Sequence, residues 1–244
     1  MAVQYAIIFL ASLAVLPALA ADLRPGDYMN NDVIEALRDS RSPDRGLAEQ
    51  GHVPQSIKVE RGTYGLRFIA NLNWHEGYTI YTLSPKGVLE RGEEDLDYPM
   101  PRIDSDSSFQ FKESGPEHFW HTYTWVGDAD EAVVSMTLVG RYVDRSGHVV
   151  EFGSDGVLHG FGPDIRFWLD NDHGKNPFDF FYYGPDRHAA SVVAFENRGQ
   201  ALLICSLLPA ANGSPSIGKP DCDHPKLVLE RLRSPRQPFQ KLHR

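Results

Sequence analysis

Between residues 64 and 74 apolar side chains alternate with polar ones. A period of two marks an extended strand, because successive side chains of a strand point to opposite faces. Tyr64, Leu66, Phe68, Ala70, Leu72 and Trp74 fall on one face, Arg67, Asn71 and Asn73 on the other, and only Ile69 breaks the pattern. The same alternation is read at Val134, Met136, Leu138, Gly140 and Tyr142, at Ile165, Phe167 and Leu169, and at Phe178, Phe180 and Tyr182. Shorter strands are expected at 56–60, 78–83, 109–112, 118–126, 148–152, 191–196, 201–207 and 227–232. Gly-bearing turns at Ser84–Gly87, Asp144–Gly147, Ser154–Gly156 and Asn197–Gly199 separate successive strands and are too short for the crossover that a parallel pair needs. Many short antiparallel strands must close or stack to hide their edges. The expectation is therefore an all-β fold, an antiparallel up-and-down barrel or a barrel-like sandwich. One short N-terminal helix precedes it at 31–39, where Asn30, Asn31 and Asp32 offer capping oxygens ahead of Val33, Ile34 and Leu37.

The chain has 244 residues, and its first twenty carry no charged side chain. Ala6 to Ala21 is apolar apart from Ser12 and Pro17 and ends in Ala18-Leu19-Ala20 before Asp22, as a secretory signal ends in small residues before its cleavage site. A membrane anchor is the rival reading, since Met1 to Gln4 lacks Lys or Arg, but the run is roughly 16 residues against about 20 for a span. An exported protein is expected, periplasmic or secreted, with no integral membrane segment once the signal is removed. The division read from the sequence is a signal at 1–20, helix and loop at 21–50, one antiparallel β domain at 51–233 and a basic flexible tail at 234–244. Ser40 to Gly46 reads as a breaker-rich loop. The stretch 90–106, with seven acidic residues plus Pro99 and Pro101, reads as an exposed loop.

Cys205 and Cys222 are the two cysteines, and in an exported chain they are expected to form one disulfide. Two unrelated thiols remain the alternative; a metal site is disfavoured because two cysteines lack the paired spacing of a zinc knuckle. The net charge of −9 and a pI near 5.5 argue against a nucleic-acid partner, whose phosphates call for a surplus of Lys and Arg.

The segment Phe119-Trp120-His121-Thr122-Tyr123-Thr124-Trp125 stands out. As a strand it places Phe119, His121, Tyr123 and Trp125 on one face, three aromatics and an imidazole that would suit a small, largely apolar ligand. The competing reading is an aromatic core with a hydrogen-bonded His121. Trp74 and His75 join the candidate ligand-binding residues at the end of the 64–74 strand, where His75 and Glu76 form an acid/base pair only if a turn swings them together. Asp170 to His173 fails the calcium-loop pattern, because Gly174 and Phe181 stand where oxygen ligands belong. No Gly-x-Ser-x-Gly, His-Glu-x-x-His, phosphate-binding loop or dinucleotide fingerprint occurs, which lowers the case for an enzyme. No catalytic residue, metal or cofactor is assigned.

Gly140 to Gly156, with its glycine-aromatic strand, tight turn at Asp144–Gly147 and second strand through Phe152, resembles the hairpin of lipocalin-like (calycin) barrels. The likeness extends loosely to 208. It departs from the family at Tyr142, where a Trp is usual, and at Phe178-Asp179-Phe180, which only echoes the threonine-aspartate-tyrosine element. The resemblance implies an up-and-down barrel around a small, often apolar ligand. The alternatives are an extracytoplasmic structural or interaction protein without a ligand, or a hydrolase using His75, Glu76 or Asp172.

Overall fold

The alternating segments fold as antiparallel strands in a computed structural model that describes residues 23–48, 53–62, 65–73, 77–83, 89–91, 94–98, 101–112, 119–170, 178–186, 189–207 and 220–232. Residues 1–22, where a signal was expected, Trp74 to Glu76, the expected turn Ser84–Gly87, residues 171–177 and the expected tail at 234–244 lie outside the described residues. The chain divides into two compact units, one drawn from Met1–Ala36 and Glu49–Ala132, the other from Leu37–Ala48 and Val133–Arg244.

In order come β1 (Gly26–Asn30), α1 (Asn31–Ser40), α2 (Pro43–Ala48), β2 (Ser56–Gly62), β3 (Gly65–Asn73), β4 (Gly77–Leu83), β5 (Leu89–Arg91), β6 (Glu94–Tyr98), β7 (Arg102–Ser105), β8 (Ser108–Lys112), β9 (Trp120–Gly127) and α3 (Ala129–Thr137). The first unit is one antiparallel sheet of nine strands in the order β6-β5-β4-β3-β2-β1-β9-β8-β7. Laid flat it would be about 38 Å wide at ~4.8 Å between strands. Its two edges, however, are consecutive in sequence, and three residues joining Tyr98 to Arg102 reach at most about 15 Å. The sheet must therefore curl until its edges nearly meet. Because neighbours alternate in direction, the first and ninth strands run the same way, so the path from Glu94 to Ser105 leaves one edge and becomes the other. Pro99 and Pro101 punctuate that path and lack the N–H that a ladder requires. Inside the curl Tyr28, Ile57, Val59, Phe68, Phe109 and Tyr123 are fully buried, and Leu66 and Ala70 of β3 join them while Arg67 faces outward. Full burial of a side chain such as Phe68 contributes about 1.5–3 kcal/mol.

The second unit holds β10 (Gly140–Val143), β11 (Val149–Phe152), β12 (Val157–His159), β13 (Ile165–Leu169), β14 (Asp179–Gly184), β15 (Ser191–Arg198), β16 (Ala201–Ile204), β17 (Ser206–Leu207), β18 (Pro220–Asp221) and β19 (Leu227–Arg231). Eight of them, β10 to β16 and β19, form a closed antiparallel barrel, with β17 and β18 paired separately. The all-β barrel expected from the alternation is thus present. The first hairpin also follows the sequence. Asp144 Oδ1 accepts the backbone N–H groups of Ser146 and His148 and the Ser146 hydroxyl, which fixes the turn between β10 and β11. The barrel interior is packed with Tyr142, Phe152, Phe167, Phe181 and Phe195, whose neighbouring rings lie 5.2–5.9 Å apart. Cys205 and Cys222 are joined, with their Cα atoms 4.5 Å apart, and pack with Phe180 and Ala194 in a separate cluster.

Four expectations are corrected. The alternation from Val134 to Leu138 is helical: Asp128 caps α3 by accepting the Glu131 N–H at 2.9 Å, and Val133, Thr137 and Leu138 are buried at helical spacing. Only Gly140 onward is strand. Within the stretch read as an acidic loop, β5, β6 and β7 supply three strands. Ser40 to Gly46 contains the start of α2, where Ser42 Oγ accepts the Arg45 N–H at 3.2 Å and Pro43 takes the first helical position, which needs no donor. Phe180, whose apolar face in the Phe178, Phe180 and Tyr182 alternation was expected to be the inward one, packs with Phe178 against the disulfide, while Phe181 fills the barrel. With Asp179, Phe180 and Phe181 all buried, β14 has both faces covered and alternation carries no information about direction.

Candidate functional site

The aromatic strand 119–125 lies in β9, between β1 and β8. Tyr123 is wholly buried. Its ring stacks on Phe109 at 5.6 Å and meets Phe111 edge-on at 6.3 Å, and its hydroxyl donates to the Pro54 carbonyl at 2.8 Å. Trp125 packs against the same core, donates its indole N–H to the Pro25 carbonyl at 3.2 Å, and is overlaid by the Arg24 guanidinium. His121 Nδ1 stands 3.7 Å from Asp32 Oδ2, at the first turn of α1, where Thr124 also donates to Asn31. Phe119, just before the strand, is 57% exposed. The strand therefore brings Tyr123 and Trp125 onto one core and leaves Phe119 outside it. Trp74, His75 and Glu76 fall outside the described residues.

A second constellation forms at one end of the closed barrel. Ser42, Asp44 and Arg45 at the start of α2 face Phe178, Asp179, Phe195, Glu196 and Asn197 across a cleft of about 190 Å³. Asp179 opens β14 opposite Phe195 of β15, so its carboxylate shares the barrel's inner face with a core ring. Its Oδ1 accepts the Asp44 N–H at 2.8 Å, and the Ser42 hydroxyl donates to it as well. Asn197, also buried, donates through Nδ2 to the Arg41 carbonyl at 2.6 Å. Burial, with the Asp44 carboxylate adding to it, pushes the Asp179 carboxyl up to about 6, against the opposing pull of its two donors and of Arg45. Arg45 in turn lies 3.6 Å from Glu196, which also accepts from Arg198.

Neither the family models nor the curated proteins nor the solved structures match this chain. Among the described residues no group of three or more His, Cys, Asp or Glu could hold a metal ion, and no helix is long and apolar enough to cross a membrane. The barrel-end cleft was not anticipated from sequence. Its one readable signal was Ser42-Pro43, a helix-start pair that the surrounding breakers masked. The partners Asp179 and Asn197 lie 135 and 156 residues from the groups they bind, and local sequence carries no trace of that pairing.

Proposed function

We propose that the mature chain is an extracytoplasmic structural or interaction protein that works through its outer surfaces. The observation that carries this reading is Tyr123. The residue at the centre of the most ligand-like segment is a fully buried core residue whose hydroxyl is bonded to backbone, and such a side chain orients a core rather than a solute. The packed rings within the barrel point the same way. The joined cysteines support an exported setting, where such bonds persist.

A second reading is favoured by one observation, the closed eight-stranded barrel with its up-and-down order. It makes the protein a lipocalin-like carrier of a small, largely apolar ligand, with interior rings that part to admit it. Native mass spectrometry of protein purified from its own source separates the two. A bare polypeptide mass, together with no uptake of an environment-sensitive fluorophore, is the expected result. A stoichiometric co-purifying molecule would replace the first reading with the second.

A further inference from the structure

Residues 41–48 cross the end of the closed barrel at which β14 begins and β15 finishes. Two polar side chains of the barrel's inner face reach them there, Asp179 to the Asp44 N–H and the Ser42 hydroxyl, and Asn197 to the Arg41 carbonyl. We propose that Arg41–Ala48 is a strap held across this end of the barrel by Asp179 and Asn197, tight in acid and slackening as the medium approaches neutrality.

The strap owes its shape to tertiary contacts, with Ser42 and Leu47 buried. α2 has six residues, too few to persist without tertiary support. It folds back on the end of α1, where Gly46 sits so close to Leu37 that a Cβ at 46 would lie 2.7 Å from the leucine side chain. The turn between the helices passes through Arg41 at φ 50°, a left-handed conformation that non-glycine residues resist. Beneath the strap lies the 190 Å³ cleft, so the contact with the barrel is not close-packed throughout.

The pH response follows from where the carboxylate sits. Asp179 is 5% exposed. The charged groups around it are Asp44 and Arg45 of α2 and Glu196 of β15, the last already engaged by Arg45 and Arg198. Ser42, Asn197, Phe178 and Phe195 complete the wall. With the strap in place the Asp179 carboxyl keeps its proton up to about pH 6; once the strap lifts and water enters, it returns towards its ordinary 3.8. The strapped state therefore binds the proton more tightly. Linkage makes its population relative to the lifted state constant below about pH 4, falling roughly tenfold per unit up to about pH 6, and constant again above, about a hundredfold in all. Protonation leaves the second carboxyl oxygen able to accept the Asp44 N–H, so acid removes the burial penalty without removing the pin.

Hydrogen exchange of the full chain, corrected for intrinsic rates, tests this at residues 41–48 between pH 4 and 7. Protection of the Asp44 and Gly46 amides is expected to fall about a hundredfold from pH 4 to 6 while the β14 and β15 amides stay protected. Asp179→Asn, which keeps the accepting oxygen and cannot ionise, should remove most of that fall, leaving the smaller response of the Asp44 carboxyl, which burial also raises. Asn197→Ala should lower protection about tenfold at every pH and leave the pH slope intact. A flat profile in the native chain, an Asp179→Asn profile that tracks the native one, or strap amides that exchange only together with β14 and β15 would each overturn the proposal.

Discussion

Asp27 Oδ2 accepts the N–H of Ala129 at 3.0 Å, so a side chain near the start of β1 caps a helix that begins 102 residues later. Asp179 serves the Asp44 N–H of α2 in the same manner. In each unit a strand carboxylate ends the row of free N–H groups at a helix start, a task that sequence-local residues perform in most helices. Burial raises the Asp27 carboxyl above its usual range, with Asp128 and Asp130 adding to the rise and the Ala129 N–H and Lys58 opposing it. Asp27→Asn should therefore keep the cap and leave stability within about 0.5 kcal/mol, whereas Asp27→Ala should lose about 1–2 kcal/mol. Urea unfolding of both variants checks the contrast; equal losses would mean that the cap contributes nothing.

Phe68 and Arg67 are neighbours in β3 that face opposite ways. Phe68→Ala empties a fully buried site edge-on to Phe109 and is expected to cost about 3–5 kcal/mol. Arg67 has a side chain 40% exposed and lies 3.8 Å from Glu60, so Arg67→Ala should cost under about 0.5 kcal/mol. Denaturation midpoints that moved equally for the two would invert the assigned faces of the sheet.

The Cys205–Cys222 bond joins residues 17 apart in sequence. Its removal by Cys205→Ser is expected to lower stability by about 2–4 kcal/mol, mostly by freeing the unfolded chain. Thiol labelling of unfolded, unreduced protein should modify neither cysteine. Full labelling of both without reductant would contradict the bond.

Tyr123→Phe distinguishes a core hydroxyl from a ligand contact. Removing the hydroxyl leaves the Pro54 carbonyl short of a buried donor, and the expected loss is about 1–2 kcal/mol in thermal or urea unfolding, with no change in fluorophore uptake. His121→Phe, beside it on the strand, should by contrast show its effect in stability rather than in uptake. Uptake that depended on either residue would favour the carrier reading.

What could be read from sequence was whatever one strand decides for itself. β3, β9, β13 and β15 lie within a residue or two of where the sequence put them; in β3 and β13 the reason is a core face opposed by an outward Arg67 or Arg166, whereas β15 buries Phe195 in the barrel and Ala194 against the disulfide. Val134 to Leu138 misled for a physical reason: a helix that buries Val133, Thr137 and Leu138 can also show apolar residues at every second position over five residues. β14 misled because the disulfide covers its outer face. β6 and β7 were hidden beneath acidic residues, since an edge strand needs no apolar face of its own. The barrel-end cleft is a different matter, for it exists only through pairings between residues 135 and 156 apart.

β19 pairs with β10 on one side and with β16 on the other. During synthesis, β10 through β16 emerge with two open edges that only the final described strand can satisfy, and every residue up to Arg231 must clear the ribosome before the ring can shut. Unshielded edges of this kind recruit other chains. A truncation that removes Leu227–Arg231 would thus do more than shorten the protein: it would leave a seven-stranded sheet open on both sides and ready to polymerise.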